Sequence, residues 1–232
     1  MLLAFDTATS AVTVALHDGR GVVAESTVVD PLRHGELLMP GVQRVLAEAD
    51  VAPRDLTRIA VGVGPGPFTG LRVGIVTART MAAVLRVPVV GVCTLDVLAG
   101  AVRVDGPFAV ATDARRKEVY WAEYDAVAGR VAGAGRVAGA GRVAGAGRVA
   151  GAGRVGAPVV AKPATLATDG PVAGRGALLY PDAFPLAVLP EYPSAADLAR
   201  SVNDGAVEML PPDPLYLRRP DAVETAARRR AP

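Results

Sequence analysis

At 232 residues, 51% of them apolar and 21% charged, the chain is long enough to bury a full core, as one large domain or two small ones. Its opening MLLAFD reaches an acid at position six without a basic start or a long apolar stretch, which argues against a secretory signal, and no run of about 18 uncharged apolar residues marks a membrane span. A single cysteine, Cys93, excludes an internal disulfide and fits a cytoplasmic protein.

The formal charge of +2 comes from one segment. Between Gly129 and Gly156 the hexad GRVAGA recurs four times and breaks off as GRVGAP, carrying five arginines and no acid. Setting those five aside leaves 20 basic residues against 23 acidic, so composition gives no support for direct nucleic-acid binding by the remainder. A valine every six residues would suit a left-handed β-helix, but four copies make little more than one coil, and glycine and alanine supply little apolar area to offset the ordering entropy. The segment is expected to be an expanded surface loop, with an extended hairpin arm as the other option.

In chain order, LLAFDTAT, AVTVALHDG and VVAESTVV read as three strands with polar turns between them. A helix follows, with Leu38, Val42, Val45, Leu46 and Ala49 on one face. Then come the strand RIAVGVG, a glycine-proline loop, a helix from about Leu71 to Arg86, the strand PVVGVC and a helix from about Thr94. A meander followed by β-α-β-α predicts an α/β layer with crossover helices against a mixed sheet. The second half restarts the pattern: AVATDARRKEVYWAEYD matches LLAFDTATSAVTVALHD at a constant offset of 107, pairing Asp6 with Asp113 and Asp18 with Asp125. Two related subdomains with aspartate turns facing a common cleft are expected, divided as 1–102 and a smaller 103–219, with a flexible basic tail at 220–232.

The loop GVGPGPFTGLRVG follows a strand and opens a helix, where free amides and the helix dipole favour an anion. Thr69 is the expected N-cap, and Gly64, Gly66 and Gly70 permit positive φ. Neither standard phosphate-loop fingerprint is present, so a plain strand-to-helix turn remains the alternative. The weak anion or nucleotide site inferred from these residues comprises Asp6, Thr7, Thr9, Gly64, Gly66, Thr69 and Gly70. In the second hairpin Asp113 is followed by Ala114, Arg115, Arg116 and Lys117, whose bulk obstructs a phosphate held against the backbone.

AFDTATSAVTVAL, RHGELLMP, GVGPGPFTGLRVG, DARRKEVYWAEYD and PLYLRRP stand in an order that resembles the YeaZ-type (TsaB) family of bacterial tRNA threonylcarbamoyladenosine synthesis. The resemblance covers nearly everything but the repeat and the tail. It implies a duplicated actin-like ATPase (ribonuclease H-like) fold that has lost its own catalysis. It further implies a TsaD partner as heterodimer, TsaE joining the complex, a homodimer when alone, and tRNA engaged only through the complex. ATP or ADP and metal are then expected in TsaD and TsaE, with no cofactor here. TsaD carries a histidine pair four residues apart after the matching strand; Thr94 and Leu98 stand in those places here.

Other chemistry is equally absent from the pattern. His17 and His34 lie 17 residues apart, without metal-ligand spacing. His34 at a helix start suits capping or packing, and Cys93 ends an apolar strand as an inert thiol. An active actin-fold ATPase or phosphotransferase is the alternative, and a metalloprotease is weakened by the missing histidines. For the partner interface, Arg72, Gly74, Ala78, Arg79 and Ala82, with Leu38 and Val42 from the preceding helix, form the expected surface, the small residues permitting close approach and the arginines lying at its rim.

Overall fold

The structure, a computed structural model, describes residues 1–125 and 153–218. The four intact repeat copies and the basic tail from 220 therefore lie outside the described residues.

Strands β1 (Leu2–Asp6), β2 (Ala11–His17), β3 (Val22–Val29), β4 (Arg58–Gly62) and β5 (Val89–Val92) form one sheet in the order β3-β2-β1-β4-β5. The β1–β2 and β2–β3 pairs are antiparallel, and β1–β4 and β4–β5 are parallel. β1 and β2 are buried throughout because both sheet faces are covered, whereas the edge strand β3 exposes most of its length. One face packs Leu3, Phe5, Val14 and Leu16 under α1 (His34–Glu48) and α2 (Phe68–Leu85). The other packs Leu2, Ala4 and Ala60 under α3 (Thr94–Ala101) and α5 (Ala195–Asn203).

β6 (Phe108–Asp113), β7 (Val119–Tyr124), β8 (Arg154–Ala161), β9 (Val172–Ala173) and β10 (Ala187–Val188) repeat this plan. Their order, read as β8-β7-β6-β9-β10, matches the first sheet strand for strand, with the same two antiparallel and two parallel pairings. The second copy is reduced where strands shrink to two residues and where α4 (Arg175–Leu179) has five. The α/β class, the duplication and the offset hairpins thus follow the sequence expectation.

The C-terminal stretch departs from a simple division near residue 102. α5 begins at a Ser194 cap whose Oγ accepts from Ala196 N and Asp197 N, then crosses back onto β1 and β2 of the first sheet. Beyond it, Leu210 exchanges two backbone hydrogen bonds with Gly91, and Leu215 N donates to Val63 O. Residues 210–218 form a strap joining the two halves.

α2 corrects two expectations. It starts at Phe68 with Pro67 at the N-cap and no side-chain cap, so Thr69 lies inside the first turn instead of capping it. Its small-residue stripe, Gly70, Gly74, Ala78 and Ala82, is buried against its own sheet instead of facing a partner. The reason is distance: a Cβ on Gly70 would lie 2.4 Å from Thr7 O, and one on Gly74 2.4 Å from Thr7 Oγ1. Leu38 and Val42, 1% exposed each, also belong to this core. Of the seven expected interface residues only Arg72 and Arg79 reach the surface. By length and composition α2 could cross a membrane, but this inward stripe and its two arginines make it a core helix with one open face.

Candidate functional site

A cavity of about 530 Å³ lies between the two hairpin turns. The first turn contributes Thr9 and Ser10, the start of α1 His34 and Glu36, the first turn of α2 Thr69 and Gly70, and the second hairpin Thr112, Asp113 and Arg115. His34 Nε2 donates to Thr9 O at 2.7 Å, tying α1 to the first turn, which gives the packing role expected of it.

The seven residues expected to hold an anion do not converge. Thr9, Thr69 and Gly70 line the cavity. Asp6 and Thr7 are sealed, at 0% and 1% exposure. The Asp6 carboxylate accepts from Ala8 N at 2.7 Å and from Thr94 Oγ1 at 2.7 Å, while Thr94 Oγ1 accepts from Gly64 N at 3.1 Å. Thr7 Oγ1 donates to Gly70 O at 2.8 Å. Gly64 alone of the three loop glycines has positive φ, at 94°. Gly66 serves close approach: a Cβ there would sit 2.2 Å from Ala8 O, and its carbonyl accepts from Tyr120 OH at 3.2 Å. The loop is thus stitched to the first hairpin.

Burial pushes the Asp6 carboxyl above its ordinary range, the hydrogen bonds from Ala8 and Thr94 opposing it less strongly. Asp113 does line the cavity, but its Oδ1 accepts from Arg115 N at 2.8 Å and its Oδ2 lies 3.5 Å from the Arg115 guanidinium. A sealed acid on one side and an arginine-bound acid on the other do not fit the magnesium-nucleotide clamp of an active actin fold. Among the described residues no three of His, Cys, Asp and Glu cluster to hold a metal. Thr112 Oγ1, buried at the cavity wall, has no hydrogen-bond partner.

Sequence reasoning missed Arg175 and Tyr192 at this cavity, which no local pattern marks. It also missed Arg154, which opens β8 as the arginine of the broken repeat copy. Its Nη1 lies 3.0 Å from both oxygens of Asp96, whose Oδ1 also accepts from Tyr124 OH at 2.9 Å. Burial pushes the Asp96 carboxyl up against the opposing charge of Arg154. The neighbouring Cys93 thiol is pushed up to about 12, chiefly by burial, which makes it the inert thiol anticipated.

The second hairpin tip is strained. Arg115, Arg116 and Lys117 have φ of 61°, 54° and 59°, a left-handed run costing about 1–2 kcal/mol per residue. Arg72 stands in the first turn of α2, where the helix dipole disfavours a positive charge, and it is held there by other contacts: its guanidinium lies 3.6 Å over the Phe68 ring, and its Nε donates to Tyr216 OH at 3.3 Å.

Comparison with known proteins follows the same outline. The model of the TsaD family, described as tRNA N6-adenosine threonylcarbamoyltransferase, matches residues 9–223. An uncharacterized protein of Mycobacterium leprae is 42% identical over 232 residues, spanning 98% of this chain and 57% of that relative. The tRNA threonylcarbamoyladenosine biosynthesis protein TsaB of Escherichia coli is 43% identical over 126 residues, 53% of this chain and 54% of that one. The matches thus span little more than half the length of these two relatives. The solved structure of YeaZ from Pseudomonas aeruginosa superposes with a TM-score of 0.70 at 31% identity, covering 93% of this chain and 99% of that one.

Proposed function

Because this chain belongs to the TsaB (YeaZ-type) family, within the group described by the TsaD model, we propose that it is a non-catalytic subunit of tRNA threonylcarbamoyladenosine synthesis. It binds a TsaD-type transferase as a heterodimer, is joined by TsaE, and supports threonylcarbamoyl transfer to the adenosine beside the anticodon of tRNAs reading codons that begin with A. Alone it forms a homodimer, and it acts in the cytoplasm. Nucleotide and metal chemistry belong to the partners.

The observation that carries the non-catalytic half of this reading is the sealing of Asp6. An actin-fold phosphotransferase turns that acid toward metal-bound water, whereas here Thr94 and Ala8 take both of its oxygens at 0% exposure. The alternative of an active ATPase would have to use Asp113 or Glu36 at the cavity instead, and Asp113 is held by Arg115.

For docking, the open face of α2 replaces the buried stripe. Val76, Thr80 and Val84 stand four residues apart and form one ridge. Val76 is 59% and Val84 75% exposed, with Met39 of α1 40% exposed. Arg72 and Arg79 flank the ridge and set orientation and association rate more than affinity. The double variant Val76→Asp, Val84→Asp changes only exposed positions, so it keeps the wild-type melting temperature and loses copurification with a TsaD-type partner. Wild-type copurification by that folded variant would place docking elsewhere.

A further inference from the structure

We propose that the outer edge of β3 pairs antiparallel with the same edge of a second copy of this chain, joining the two first-half sheets into one. The inference rests on the proposed function only in taking the homodimer from it, and goes beyond it by giving that dimer a surface that leaves the α2 ridge free for the partner.

The four sheet edges are not alike. β5 is covered on its outer side, where Leu210 and Gly91 exchange backbone hydrogen bonds. β10 has only two residues. β8 is eight residues long, but Gly156 at a φ of 76° interrupts its extended backbone and Pro158 has no N–H to offer. β3 carries none of these three devices: VVAESTVV runs for eight residues without proline, glycine, lysine or arginine, and its one irregularity is a bulge at Val23, near its start. Among the described residues it pairs with β2 alone. A long edge with a row of free backbone groups is a template for another strand.

Backbone direction decides which groups are offered. Asp30 N donates to Ser10 O at 2.8 Å in step with the β2–β3 register, so the even-numbered residues from 24 to 30 turn their backbone groups toward β2. Glu25, Thr27 and Val29 turn theirs outward. A two-fold axis normal to the sheet then pairs odd positions with odd positions. Centring that axis on Glu25 sets like charges opposite each other, and centring it on Thr27 sets Glu25 against Val29. Centring it on Ser26 sets Glu25 opposite Thr27 of the second copy.

This last register also completes the apolar surface of the strand. Val23, Val28 and Val29 are exposed. Across the axis Val29 faces Val23 and Val28 faces Ala24 of the second copy, so all three valines gain an apolar neighbour and the one acid of the strand gains a hydroxyl. At each end the Asp18–Arg20 turn of one copy comes beside the Asp30–Arg33 pair of the other, two acids with two bases. Glu25 is the only other charged residue between positions 18 and 33. α1 packs on β2, β3 and α2, and so stands between this edge and the α2 ridge. Both surfaces are engaged together in a two-fold assembly of two copies and two partners.

The test is sedimentation velocity of the full chain from micromolar to millimolar concentration, for the wild type and for Thr27→Lys and Thr27→Glu. Thr27 is exposed, and melting temperature checks the folds. The expected result is a wild-type dimer whose dissociation constant falls about tenfold in Thr27→Lys, where opposite charges meet twice across the axis, and rises about tenfold in Thr27→Glu, where acid meets acid. Adding Glu25→Lys to Thr27→Glu restores the dimer. The Val76→Asp, Val84→Asp variant dimerises as the wild type does, and the Thr27 variants keep copurification with TsaD. A wild type that stays monomeric at millimolar concentration overturns the proposal, as does a dissociation constant that responds to Val76 and Val84 and ignores the charge at position 27. Loss of TsaD copurification in Thr27→Glu also overturns it, in favour of a partner strand at this edge. If the wild type fails to bind TsaD yet dimerises with the stated charge dependence, the proposed partner fails and the β3 pairing stands.

Discussion

Thr94 Oγ1 donates to Asp6 Oδ2 at 2.7 Å across 88 residues of sequence, in full burial. The same hydroxyl accepts from Gly64 N, so one side chain holds the β1 acid and the glycine loop together. Thr94→Val removes both bonds and strands a buried oxygen and a buried amide, at about 1–3 kcal/mol each. Thr94→Ser keeps the hydroxyl and most of the stability. Urea denaturation of the two variants checks this; equal midpoints would remove the strut from the account.

Asp6 and Asp96 give the stability a pH signature. Both carboxyls are pushed above the ordinary range by burial, so between the unfolded and folded values the native state binds more protons. Stability therefore falls as pH rises through that window. Asp18 and Asp30 act oppositely: backbone hydrogen bonds from Gly21 and Leu32 hold their pKa values low, so their contribution is lost as pH falls below the ordinary carboxylate range. Chemical denaturation across pH should show stability falling as pH rises above the ordinary carboxylate range, and Asp6→Asn should flatten that limb.

Arg154 is 11% and Asp96 1% exposed in their side chains. Removing the arginine leaves Asp96 as an uncompensated buried charge. Arg154→Ala should cost about 3–5 kcal/mol, lowering the melting temperature by on the order of 10 °C. Adding Asp96→Leu to Arg154→Met should recover part of the loss, since an apolar pair needs no partner charge, while the buried Tyr124 hydroxyl is left without its acceptor. Calorimetry of the single and double variants separates the two cases.

These sites show where sequence is legible and where it is not. The hairpins matched at an offset of 107 because alternation and turn residues are local signals, and the α1 face emerged from spacing alone. The face of α2 did not, because a stripe of glycine and alanine suits close approach to a partner and close approach to one's own strands equally. Only the 2.4 Å that a Cβ on Gly74 would leave to Thr7 Oγ1 decides between them. Asp6 and Asp113 look alike in the sequence, and what distinguishes them is Thr94 on one side and Arg115 on the other. Arg154 sits in a repeat whose arginines are indistinguishable until Asp96 is brought beside one of them.

The repeat itself is open to deletion. Asp125 N donates to Gly153 O at 3.0 Å, so the ends of the 126–152 segment are held together by described residues. Removing 135–152, three units in phase, keeps Arg154 and β8. Shortening the connection to a third of its length lowers its closure entropy cost by about 1 kcal/mol. The shortened chain should melt at or slightly above the wild-type temperature; a loss of several degrees would make the excised units structural.

The most direct measurement is threonylcarbamoyl transfer and ATP hydrolysis by the purified chain, alone and with TsaD, TsaE, the threonylcarbamoyl adenylate and tRNA. The expected result is no turnover by the chain alone, and turnover in the reconstituted mixture that requires this chain and falls in the Val76→Asp, Val84→Asp variant. Robust turnover by the isolated chain, abolished in Asp6→Ala, would contradict the reading of Asp6 as a sealed strut and of this protein as an accessory subunit.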